Sequence, residues 1–227
     1  MVKYVIKRLL FMIPTLLAIV FIILGIMELT PSSPAQSMLG YDAPPEVIAE
    51  LNRKLGYDRP FLVRYIEYVR SLLKGDMGNS YRTGRPVFDE ILSRFPTTLK
   101  LAFLGITLAL IIGVPIGIIS AVKQYSVFDF SAITFAMFMA SMPGFWFGLV
   151  NIILFSLKLG LLPSNGLDSP VHYILPSITL AIPSTAGLLR LMRTSLLETI
   201  REDYVRTARA KGQEEWKVIM KHAVRNA

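Results

Sequence analysis

The groups in this 227-residue chain that could move protons, bind metal or attack a substrate are two histidines, sixteen carboxylates and no cysteine. They are not spaced for such work. The His-Glu-x-x-His pair of a zinc site is absent, and so is the Gly-x-x-x-x-Gly-Lys-Ser/Thr run that cradles phosphates. Without cysteine there is no disulfide framework and no thiolate metal ligand. His172 lies at the end of an apolar segment, where an interfacial role is expected rather than a ligand role. The expectation is no catalytic residue and no metal ligand. Polar side chains within apolar sequence are Ser141, Asn151 and Ser156, with Met137, Met139 and Met142 beside them. Asn and Ser in such a setting hydrogen-bond neighbouring helices or line a wet path. Soft Met side chains fill gaps or adapt to varied contacts. Ser141 and Asn151 are the candidates for the path.

The densest polar sequence is residues 204–225, Y-V-R-T-A-R-A-K-G-Q-E-E-W-K-V-I-M-K-H-A-V-R. Trp216, Ile219, Met220, Ala223 and Val224 recur at i, i+3, i+4, i+7 and i+8, which predicts an amphipathic helix. Lys217, Lys221 and Arg225 take another face, and Glu214 is in reach of Lys217. Gly212 falls between this helix and the one before it, where glycine turns most cheaply. Three readings fit: a helix resting on anionic lipid, a basic loop that sets membrane orientation, or a surface that takes force from a soluble partner.

The elements that hold these residues are read from hydropathy. The chain is 53% hydrophobic and 18% charged, against about 25% charged for a soluble domain. The apolar residues come in blocks, at 9–27, 101–122, 130–157 and 171–189. Each reaches the roughly 20 residues that an α-helix needs to cross hydrocarbon. Helices are required, because lipid leaves exposed backbone groups unsatisfied. The fold class is therefore an all-α polytopic membrane protein. Pro14, Gly113, Pro115, Gly117, Pro143, Gly144, Pro176 and Pro183 interrupt the blocks. They are either kinks in a static bundle or breaks in one that moves. Glu28 and Asp129 sit at block ends and no ionisable residue lies deep inside, which argues against a proton- or sodium-coupled transporter. The net charge of +8 flanks the apolar blocks, so it points to a membrane and not to nucleic acid.

Lys3, Lys7 and Arg8 place the N-terminus inside; Lys123 and the bases from Arg190 to Arg225 then fall inside too. Residues 31–98 are left outside. The first block is too long for the core of a cleaved signal peptide, and none is expected. Within 31–98, apolar residues at helical spacing follow Pro45, Pro60 and Pro86, and Gly56 and Gly75 act as stops. This predicts three short helices, as a cap packed on the bundle or a platform for an outside partner. The expected organisation is a cytoplasmic start and first membrane helix (1–30), an extracytoplasmic helical cap (31–98), membrane helices two to four (99–192) and a cytoplasmic loop (193–227).

The 204–225 band resembles the EAA loop of ATP-binding-cassette (ABC) transporter permeases, in the form found in the dipeptide, oligopeptide and nickel importer branch. Ala208 and Gly212 match the second Ala and the Gly of that loop, while Arg206 and Thr207 replace its Glu and first Ala. L-G-Y-D-R-P at 55–60, G-D-M-G-N-S at 75–80, R-P-V at 85–87, R-F-P-T-T-L-K-L-A at 94–102 and L-L-P-S-N-G at 161–166 are similar to the same branch. The resemblance implies a type I ABC importer permease-like helix bundle in the cell (inner) membrane, with no enzymatic activity and no cofactor. ATP would be bound by a partner subunit. Thr207, Ala208, Lys211 and Gly212 would contact cytoplasmic ATPase subunits. The further implied partners are a second homologous permease subunit, an extracytoplasmic solute-binding protein and the lipid bilayer. The implied cargo is peptides, nickel chelates or other small solutes. Members of the branch carry two more membrane helices after the loop. The expectation is thus a bundle lacking its last two, as a fragment or a truncated gene product. The alternative is a non-transporting scaffold whose amphipathic loop anchors lipid or a partner.

Overall fold

All the regular elements among the described residues are helical, apart from one isolated bridge between Asn79 and Pro86. The computed structural model describes residues 2–40 and 42–227, with the backbone alone at residue 2. Positions 1 and 41 of the expected 1–30 and 31–98 segments lie outside the described residues. The chain divides into two compact units, Met1–Phe95 and Pro96–Ala227.

The first unit opens with α1, Val2–Leu29. Its 28 residues extend about 42 Å at 1.5 Å per residue, enough to cross a bilayer. Pro14 is accommodated inside it. Most of its apolar side chains face outward, as expected of a helix in contact with lipid or another subunit. Three short helices follow: α2 (Pro34–Leu39), α3 (Pro45–Lys54) and α4 (Phe61–Leu73). The sequence pattern missed α2, whose start is a Ser33–Gln36 capping box. Asn52 on α3 holds that box, donating to Ser33 Oγ at 3.0 Å and accepting from the Ala35 amide at 3.4 Å. Against α1, α4 packs Phe61 and Tyr65 edge-on to Phe21, with centroids 5.0 and 5.3 Å apart. The Tyr65 and Tyr57 hydroxyls donate to the Leu17 and Met27 carbonyls, each at 3.2 Å. Arg64 pairs with Glu28 and stacks 4.1 Å from the Tyr57 ring centroid. Residues 57–65 are thus bound to α1 by specific contacts, and α2 and α3 to each other, so this stretch is not a spacer.

The third short helix, predicted from Pro86, is the opening of α5, which runs unbroken from Val87 to Val122. No glycine stop follows the Pro86 start before the apolar block at 101–122, and Pro96 lies inside the helix. A single proline removes only one backbone bond from a long helix.

In the second unit α5 lies on α8 (Ile174–Thr199) along small residues, Gly105, Ala109, Gly113 and Gly117, all buried. A Cβ at Gly113 would stand 2.9 Å from the Thr185 carbonyl oxygen; one at Gly117 would stand 2.7 Å from that of Leu189. These glycines therefore form a close-packing seam of the kind that joins membrane helices. Neither glycine ends the helix, and both are packing points against α8.

The third apolar block is not one rod. α6 (Val127–Ser141) and α7 (Gly144–Asn151), which continues as a π-helix over Ile152–Lys158, meet at an angle of 97°. Pro143 caps the start of α7, and its fixed φ with no N–H ends the ladder there. The fourth block also differs. A 3₁₀ turn at Pro170–Tyr173 leads into α8, which passes Arg190 and Arg193 to Thr199. Charge did not end the helix, because Arg193 finds a partner inside the unit. Last come α9 (Asp203–Ala210) and α10 (Glu215–Lys217), the latter widening into a π-helix at Val218–Ala223. Among the described residues, three helices are long and apolar enough to cross a membrane, or four if the bent pair counts as one.

Candidate functional site

α9 begins after Glu202, with Asp203 in its first turn near the positive end of the helix dipole. Asp203 also meets Arg206 at 3.4 Å, and the Thr207 hydroxyl donates to its carbonyl at 2.9 Å. One edge of the helix is inward. Val205 and Ala208 are buried with Ala121, Leu196, Val218 and Ala223 in one apolar cluster. The other edge exposes Thr207 and Lys211, one turn apart.

Gly212 closes the helix at φ +72°. Its amide donates to the Arg209 carbonyl at 2.9 Å, and the Lys211 amide to that of Thr207 at 3.1 Å. Nothing lies within 4 Å of where a Cβ would stand, so the need for glycine here is conformational and not steric. Across the turn Arg209 grips Glu215, with Nη2 to Oε1 at 2.7 Å and Nε to both oxygens at 3.1–3.2 Å. The guanidinium holds the Glu215 carboxyl below its ordinary pKa. His222 Nε2 and Gln213 Oε1 lie 2.8 Å apart, and the expected Lys217–Glu214 pair forms at 2.9 Å.

The apolar face predicted after Gly212 is only partly present. Ile219 and Ala223 are buried and Val224 packs on the cluster that holds Ala223, but Trp216 is 68% exposed. Val218, fully buried, takes the expected place of Trp216. The cause is the π-helix: the Val224 amide donates to Ile219, five residues back, at 2.8 Å, so the 3.6-residue rhythm does not hold.

Of the expected coupling residues, Thr207, Lys211 and Gly212 are on the surface, while Ala208 is an inward residue, 6% exposed. Of the two path candidates, Ser141 is exposed at the end of α6 and donates to the Met137 carbonyl at 2.9 Å. Asn151 is buried at the end of α7, and its Nδ2 has no partner among the described residues. No hydrogen bond joins Ser141 to Asn151 among the described residues. A cavity of about 700 Å³ opens elsewhere, lined by Lys100, Phe103, Leu104, Tyr173, Ile174 and Ser177 among others.

Two polar residues escaped the sequence reading as a pair. Asp129, in the first turn of α6, accepts from Arg193 of α8 at 2.7 Å (Nε) and 2.8 Å (Nη2). Each charge was visible, but their separation of 64 residues hides the contact.

Comparison with known proteins decides the family. Residues 113–227 match the binding-protein-dependent transport system inner membrane component, and residues 1–102 match the N-terminal part of that membrane component. The chain belongs to this family. It is a permease of the ABC importers and a component of the inner membrane, in a family of transporters rather than enzymes. It is 41% identical over 227 residues to the glutathione transport system permease protein GsiC of Escherichia coli (strain K12), covering 100% of this chain and 74% of that one. The GsiC of Salmonella typhi shows the same identity and coverage. The dipeptide transport system permease protein DppB of Alkalihalophilus pseudofirmus is 37% identical over 255 residues, covering 100% of this chain and 77% of that one.

Proposed function

We propose that this permease forms part of the path for peptides or similar small solutes delivered by a solute-binding protein, and that the 204–225 band couples the path to a separate ATPase. The cargo class rests on the glutathione and dipeptide systems named for its relatives. Residues 31–73 offer the surface for the binding protein, a second permease subunit completes the path, and ATP is bound by the ATPase. The observation that carries the coupling role is the build of α9. An outward edge with Thr207 and Lys211 is backed by Val205 and Ala208, and these pack on Leu196 of α8. A push on the outward edge therefore reaches a membrane helix through close-packed atoms, which resist compression. Thr207, Lys211 and the Gly212 turn form the contact; Ala208 is its inner support. Two nucleotide-dependent arrangements of such an element suffice, with no chemistry in this chain.

The test is site-directed cross-linking from Thr207→Cys or Lys211→Cys to the ATPase in the assembled transporter, with and without ATP. Adducts whose yield changes with nucleotide are expected. Their absence in an assembled complex overturns the coupling role and favours a lipid-anchoring band, to which the exposed Trp216 is suited.

A further inference from the structure

The Asp129 carboxylate is saturated with donors. Besides the two bonds from Arg193, it accepts from the Tyr125 amide at 2.9 Å and from the Ser120 hydroxyl. The side chains of Asp129 and Arg193 are only 4% and 19% exposed. The bonds gather the end of α5 (Ser120), the α5–α6 turn (Tyr125), the first turn of α6 (Asp129) and α8 (Arg193). Tyr125 takes φ +64°, rare for a residue with a side chain, and its amide bond to Asp129 helps to hold it there.

The position of this clasp is what gives it a role. Leu196, three residues beyond Arg193 on α8, is fully buried against Val205, Ala208, Val218 and Ala223 of the coupling band. Ala121, next to Ser120, belongs to the same cluster. A continuous set of contacts thus runs from α9 to Leu196, along α8 to Arg193, and from Arg193 to Asp129. A planar, bidentate guanidinium fixes angle as well as distance, which a lysine at the same position does not. Breaking a buried pair strands a charge and is far costlier than breaking an exposed one.

We propose that Arg193 is a positioning residue that carries movement of the coupling band into the α5–α6 turn, so that the end of α5, the start of α6 and the last turns of α8 travel as one body. This rests on the coupling reading of α9 given above.

Lys123 in the turn and Glu198 on α8 are both exposed, and the chain has no native cysteine to interfere with labelling. Spin labels on a Lys123→Cys/Glu198→Cys pair, in the transporter assembled in proteoliposomes, should give one narrow distance that is unchanged by ATP. Arg193→Lys keeps the charge and loses the fork; Asp129→Asn keeps the shape and loses the charge. Each should broaden that distance and lower the solute moved per ATP hydrolysed by about tenfold, with the nucleotide-dependent Lys211 cross-link retained. A 123–198 distance that shifts with ATP in the chain bearing only the two labels overturns the proposal. So does an unchanged ratio of solute to ATP in both variants. Failure of both to assemble also overturns it, because the clasp is then a folding element only. Loss of the Lys211 cross-link in the chain with Arg193 and Asp129 intact identifies the coupling reading itself as the error.

Discussion

Arg209 and Glu215 hold each other across the Gly212 turn through a forked contact as short as 2.7 Å. Both side chains are more than a third exposed, so the pair is worth no more than the usual surface value of about 0.2–1 kcal/mol. Its effect is on geometry, because it closes the angle between α9 and α10. Glu215 is depressed in the folded state, so its contribution is present above the unfolded carboxylate value and is lost as pH falls through the folded one. Acidification below about pH 4 should loosen the turn. Fluorescence anisotropy of Trp216 in a Trp146→Phe background should fall in that range, and Glu215→Gln should show the lower value already at pH 7.

The Gly212 turn makes a second prediction, one that separates shape from space. A side chain has room there but meets the cost of left-handed backbone, roughly 1–2 kcal/mol for most residues and more for a β-branched one. Gly212→Asn should keep most transport, Gly212→Ala should lose part, and Gly212→Val should lose nearly all. All three should insert normally, as judged by the amount of protein in membranes. Equal transport in the Val and Asn variants would show that the turn does not set the coupling angle.

The α5–α8 seam predicts the opposite behaviour at two other glycines. Gly117→Ala forces a Cβ to within 2.7 Å of a carbonyl oxygen, and the helices must separate. It should cost about 1–3 kcal/mol, as overpacking does. Gly187→Ala on α8 meets nothing within 4 Å and should be neutral or stabilising by up to about 1 kcal/mol. The ranking of Tm in detergent, with Gly187→Ala at or above the parent and Gly117→Ala well below it, checks this.

Sidedness is checked by impermeant thiol labelling in intact cells. Thr83→Cys, exposed in the first unit, should label, and Gln213→Cys should not. The reverse pattern would invert the orientation inferred from Lys3, Lys7 and Arg8.

Much of this architecture was legible because membrane helices declare themselves by length and apolarity. The blocks at 9–27, 101–122 and 171–189 each lie largely within a long helix. The Lys217–Glu214 pair and the left-handed Gly212 were legible because both are local. What stayed hidden was of two kinds. Trp216 was assigned inward because a 3.6-residue rhythm was assumed where the backbone widens to a π-helix. The inward turn of Ala208, the Asp129–Arg193 clasp and the glycine seam depend on which distant residue lies opposite, and local periodicity carries no such information. Gly113 and Gly117 looked like weak points because sequence shows a missing side chain, but not the carbonyl oxygen that fills its place.

The 97° corner between α6 and α7 has a consequence for hydration. α6 has 15 residues, so it extends about 22 Å, short of the roughly 30 Å of a hydrocarbon layer. The piece after the corner turns nearly perpendicular and adds little depth along the direction of α6. Around Met142 and Pro143 the helical ladder is interrupted, and oil cannot satisfy the polar backbone freed there. That corner must therefore be shielded from lipid tails by neighbouring protein or reached by water. An element that reads in sequence as one continuous greasy rod thus brings into the bilayer a point that lipid cannot solvate, and Ser141 is at its edge.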